Sequence, residues 1–74
     1  MTLAQVPLIY NIDRLCIYVD NTLKVEQWVG AQSIGWYAKE CKHLKEFADR
    51  KIDSMTIFVE GRYDDVVVLE IYFK

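Results

Sequence analysis

Apolar residues in this chain recur at every second position, then at every third or fourth, then again at every second, and this double switch of period constrains the fold most tightly. In the first stretch Leu15, Ile17 and Val19 point one way while Arg14, Cys16, Tyr18 and Asp20 point the other. Asp20-Asn21-Thr22 follows, and Asp and Asn tolerate the left-handed backbone that a tight hairpin needs. The return stretch sets Leu23, Val25 and Val29 on one face and Lys24, Glu26 and Trp28 on the other. Together they predict a β-hairpin.

Ile34, Tyr37, Cys41, Leu44, Ala48 and Ile52 then recur at spacings of three and four, which predicts one amphipathic helix over residues 33–52. Such a helix is about 28 Å long at 1.5 Å per residue, enough to cross one face of a small sheet. Ser33 is its expected N-cap, Arg50 and Lys51 suit its C-terminus, and Gly35 weakens the first turn. After Asp53-Ser54 the period returns to two. Met55, Ile57 and Val59 alternate with Thr56, Phe58 and Glu60; residues 61–65 supply a second turn; residues 66–73 close the chain.

The last stretch is the most apolar and β-branched, which favours a central place in the sheet. The expected fold class is therefore α+β: a single ββαββ domain, its four-stranded, mainly antiparallel sheet carrying one helix on one face. The order 1-2-4-3, fully antiparallel, satisfies the pattern, and other orders stay open. Residues 1–12, broken by Pro7, read as an apolar arm, with Ile9-Tyr10-Asn11-Ile12 a possible extension of the first strand.

Seventy-four residues suffice for one domain, and 53% apolar content places the chain far from the disordered range. The net charge of −2 repels polyanions, so free nucleic acid is an unfavoured partner. Residues 33–52 are mildly basic, with Lys39, Lys42, Lys45, Arg50 and Lys51 against Glu40, Glu46 and Asp49, and the rest is acidic. Cys16 and Cys41 lack C-x-x-C spacing, and a secreted domain this small usually carries more bridges, so a reducing cytoplasm is expected. The first residues lack a basic, apolar leader pattern, and no apolar run approaches the ~20 residues that span a bilayer, so no membrane association is expected.

No constellation points to catalysis. His43 is the single histidine and faces away from Cys41 on a helix; Ser33 and Ser54 lie at helix boundaries without a nucleophile motif. Glu60, Asp64 and Asp65 bracket a turn but lack the spacing of a calcium loop, and a solvated hairpin tip accounts for them. Cys16 and Cys41 belong to opposite sides of the sheet, so neither disulfide nor metal is expected, and no cofactor is implied. Both thiols are expected free, with Cys41 the better buried.

The informative feature is the sheet face away from the helix. It displays Cys16, Tyr18, Trp28, Phe58, Val66, Val68 and Tyr72, ringed by Lys24, Glu26, Thr56, Glu60, Glu70 and Lys74. A solvated face is normally polar, and this one is aromatic. Three readings compete: cover by the N-terminal arm or shielding by the aromatics themselves; a protein interface, with a second copy or another partner; and stacking of single-stranded bases or a small ligand. Two lysines against three glutamates, and no nucleic-acid motif, put the protein interface ahead of base stacking. Tyr18, Trp28, Phe58, Tyr72, Glu26, Glu60 and Glu70 are its candidate residues, with Trp28 and Tyr72 the anchors. A second candidate surface is the helix shoulder of Trp36, Glu40, His43 and Phe47, read first as packing against the core or the arm and otherwise as a partner groove.

In size, acidity and want of catalytic residues the chain is similar in general character to small phage-encoded inhibitors of bacterial defence, anti-CRISPR proteins among them. The likeness implies a non-enzymatic protein-binding inhibitor and carries over no residue. The expected function is accordingly a protein-binding module, with a nucleic-acid- or ligand-binding domain as the alternative.

Overall fold

Asp20 and Asn21 both adopt positive φ, 50° and 63°, so the first turn has the left-handed pair of residues that matches the twist of the strands it joins. The computed structural model describes residues 1–9, 11–61 and 65–74. Strands β1 (Arg14–Val19) and β2 (Thr22–Trp28) form the hairpin, helix α1 spans Ile34–Glu40, and β3 (Ser54–Glu60) and β4 (Val66–Phe73) form a second antiparallel pair. The element order and α+β class are those the periodicity predicts. Most of the second turn, residues 62–64, lies outside the described residues, as does Tyr10.

The strand order is β2-β1-β4-β3, with β1 parallel to β4. The fully antiparallel order is thus corrected. β1 and β4 carry the most completely buried apolar rows, and pairing them centrally sets Leu15 beside Leu69 and Ile17 beside Ile71 on the helix-covered face. The chain after the hairpin crosses by way of α1 to the far edge, lays down β3 there, and returns to the middle as β4. Asn11, at φ 67°, breaks the extended run before β1, and Ile9, Asn11 and Ile12 lie outside that strand.

The helix is much shorter than its pattern. Ser33 caps it as expected, its Oγ accepting from the Trp36 N–H at 3.0 Å, but Cys41 is already extended at ψ 123°. A turn and a 3₁₀ segment, Lys45–Phe47, replace the remaining helix. Past the break, the arm takes backbone groups that a continued helix would pair with each other. In a continuous helix the Ile52 N–H would donate to the Ala48 carbonyl. Here the Ala4 N–H donates to the Ala48 carbonyl at 2.9 Å and the Ile52 N–H donates to the Met1 carbonyl at 2.8 Å. The N-terminal arm takes both halves of the helical bond. The apolar stripe survives the break, since Ile34 and Leu44 are buried and Tyr37, Cys41, Ala48 and Ile52 pack half-buried around them.

The arm joins the helical layer. Leu3, Val6 and Ile12 are buried with Leu15, Ile17, Leu44, Phe47, Leu69, Ile71 and Phe73 in one core. The Gly35 N–H donates to the Val6 carbonyl at 2.8 Å, and a Cβ on Gly35 would overlap the Ala4 carbonyl. Gly35 is therefore a site of close approach between arm and helix, beyond the weak helix start that its sequence position suggests.

Two further expectations change. Met55, Ile57 and Val59 lie on the helix side of β3, yet all seven residues of β3 are exposed because no element among the described residues reaches that edge. Leu23 moves to the other face. The pairing slips between Ile17 and Tyr18, so that Ile17 opposes Val25 but Tyr18 opposes Leu23, and Lys24 is the extra residue of a bulge.

Candidate functional site

Register fixes the rows of the open sheet face. Trp28, Arg14, Val68 and Phe58 form one cross-strand row; Glu26, Cys16, Glu70 and Thr56 the next; Leu23, Tyr18, Tyr72 and Ser54 the third. Four adjacent strands place Trp28 and Phe58 at opposite ends of a row about 14 Å long. Among the described residues the arm does not cover this face, because its buried side chains belong to the helix-side core.

The centre of the face is paved by its own side chains. Tyr18 stacks on Tyr72 with ring centroids 4.8 Å apart and planes 16° from parallel. The Tyr72 hydroxyl donates to Glu70 Oε1 at 2.8 Å, and Thr56 Oγ1 donates to the same oxygen at 3.2 Å. Hydrogen bonding toward Glu70, with burial second, pushes the Tyr18 phenol up to about 12 and raises Tyr72 in the same direction. Both phenols stay neutral donors, since a negative neighbour and desolvation each disfavour phenolate.

Arg14 is the residue that sequence reasoning left off this face. Its guanidinium lies 5.8 Å from the Trp28 ring centroid and donates from Nη2 to Glu60 Oε2 at 2.8 Å, crossing above β4. The signal was legible, because Arg14 alternates with Cys16 and Tyr18. Under this cover Val68 is fully buried and Cys16 only 4% exposed. What protrudes is Trp28, 62% exposed, with Phe58 at 39%. Tyr72, expected as a second anchor, is half-buried and belongs to the paving.

The expected burial of the two cysteines is reversed. Cys16 is buried and Cys41 half-buried, both as free thiols, and burial raises the Cys16 thiol above its ordinary pKa. A reagent that attacks thiolate should therefore label Cys41 well before Cys16 in the native state. Timed alkylation with mass spectrometry checks this, and equal rates would contradict the paving.

The helix shoulder does not form one surface. Phe47 is core, stacked on Phe73 with centroids 5.8 Å apart and covered by the Arg50 guanidinium, whose Nη2 donates to the Lys74 carbonyl at 2.7 Å. Glu40 and His43 are exposed, and His43 Nε2 lies 2.6 Å from Gln27 Oε1 on β2, a pairing in which the ring N–H donates. Trp36 is exposed with its ring edge against Tyr37.

No known family, curated protein or solved structure matches this chain. Its reading rests on its own geometry. Among the described residues no three His, Cys, Asp or Glu side chains gather as a metal site; Asp64, one of the acidic turn residues, lies outside them. No helix among them is long and apolar enough to cross a membrane.

Proposed function

We propose that this chain is a non-enzymatic protein-binding module that docks through its open sheet face. The observation that carries the proposal is Trp28, which stands 62% exposed at one end of a rigid cross-strand row whose other end is the exposed Phe58. A large exposed aromatic is the side-chain type that concentrates binding energy once a partner desolvates it. The floor beneath it is fixed by the Tyr18–Tyr72 stack and the Arg14–Glu60 ion pair, so little ordering is required on docking.

Charge selects the partner. The face carries Glu26, Glu60 and Glu70, and the Arg14 guanidinium, the one guanidinium on it among the described residues, is already bound to Glu60. The fitting partner is a protein surface with an apolar socket for Trp28 and lysines or arginines around it. A phosphate backbone would meet the same three carboxylates, which disfavours the nucleic-acid alternative. The two free thiols favour a reducing compartment. A small inhibitor of a larger complex is one form such a module takes, in keeping with the chain's general likeness to phage-encoded inhibitors.

The test is parallel affinity capture from cells that carry the gene, using the natural chain and Trp28→Ser. A protein retained by the first should be lost at least tenfold with the second. An unchanged set of captured proteins would rule out Trp28 as the anchor of this function.

A further inference from the structure

The two edges of the sheet are built differently. Edge strand β2 is blunted by the Lys24 bulge and by the charges of Lys24 and Glu26, devices that stop a foreign strand from pairing. Edge strand β3 has no bulge and only one charge. Its register with β4 runs without a slip from Ser54 to Glu60, it contains no proline, and its single charge, Glu60, is drawn inward to Arg14 on the open face. On the helix side Met55, Ile57 and Val59 stand 42%, 54% and 61% exposed in a row that no element among the described residues covers.

We propose that β3 pairs with β3 of a second copy, antiparallel about a two-fold axis at Ile57, joining two four-stranded sheets into one of eight. This goes beyond the docking of a partner protein on the open face and uses different residues. The strand is self-complementary in that register. Ile57 opposes its own copy, Met55 opposes Val59, Thr56 opposes Phe58, and Ser54 opposes Glu60, so no like charges meet. Because a two-fold axis perpendicular to the sheet keeps both helical layers on one side, the six exposed apolar side chains of the two copies form one continuous stripe. The outer amides and carbonyls of β3 gain partners in the same step.

Strand length sets the size of the seam. The paired strand is seven residues long, about 23 Å at ~3.3 Å per residue, so the seam is small beside the interfaces of obligate dimers. Such a seam falls in the class of weak, reversible interfaces, so the dimer should form reversibly with concentration. It should also stop at two, since both free edges of the joined sheet are the bulged, charged β2.

Sedimentation velocity over a concentration series tests this, alongside Ile57→Lys and Lys24→Ala. The expected result is a reversible monomer–dimer equilibrium for the natural chain and for Lys24→Ala, with Ile57→Lys monomeric throughout and unfolding at the same temperature as the natural monomer. A second readout is Ile57→Cys, whose position on the axis should give a disulfide-linked dimer on mild oxidation, whereas Met55→Cys should not. A natural chain monomeric at millimolar concentration, or a dimer that survives Ile57→Lys, overturns the proposal. Neither result bears on Trp28, whose capture experiment stands separately.

Discussion

Gly35→Ala is expected to destabilise the domain by about 3–5 kcal/mol, the range of losing large side chains from a core. Two effects oppose each other at this position. Alanine is the better helix former, by roughly 1 kcal/mol, and on α1 alone the substitution should stabilise. Against that, the new Cβ would lie 2.9 Å from the Ala4 carbonyl carbon, overlap its oxygen, and crowd the Val6 carbonyl at 3.2 Å. These are backbone atoms, held by the Gly35–Val6 and Ala4–Ala48 hydrogen bonds, so they cannot swing aside as a side-chain tip can. Relief requires the arm to lift, which takes Leu3 and Val6 out of the core. The steric effect is larger, and the sign follows it. For a domain of this size the unfolding midpoint should fall by about 12 °C or more. Thermal unfolding by circular dichroism decides it, and a midpoint equal to or above that of the natural chain would show that the arm is not seated against α1.

The second large effect is Leu69→Ala, expected to cost about 2–5 kcal/mol, set against Trp28→Ser, expected to cost less than about 1 kcal/mol. Leu69 is buried between Leu15 on β1 and the helix-side row of β3, so its truncation leaves a cavity that closely packed neighbours fill only in part. Trp28 loses only its contact over Arg14 and little buried area. Denaturant unfolding of both variants, read beside the capture experiment, separates structure from function. Comparable destabilisation by the two substitutions would make the Trp28 ring part of the fold and remove it as a docking anchor.

Much of the candidate face was legible from alternation alone. Tyr18, Tyr72, Glu70 and Cys16 share a face because side chains in a strand alternate with period two, whatever the neighbouring strands are. Which of them protrude was not legible. The stacking of Tyr18 on Tyr72 and the reach of Arg14 to Glu60 depend on β1 lying beside β4, with β3 beyond it. Phe47 kept a helical spacing with Trp36 and His43 yet belongs to the core, because the chain stops being helical at Cys41.

The sequence by itself determined the order of elements, the left-handed turn at Asp20 and Asn21, the cap at Ser33, and the central place of the last strand. Each depends on the chemistry of a few neighbouring residues: a period, a side chain that tolerates positive φ, an oxygen within reach of a nearby amide. Tertiary contacts set the rest: β1 runs parallel to β4, the arm takes the Ala48 carbonyl and the Ile52 amide that a longer helix would pair, and all of β3 is left exposed. Those outcomes are set by competition for backbone donors and acceptors. Such groups are the same at nearly every residue, so a local pattern carries no address for them; they go to whichever segment the burial of Leu3, Leu15, Ile71 and their neighbours brings alongside.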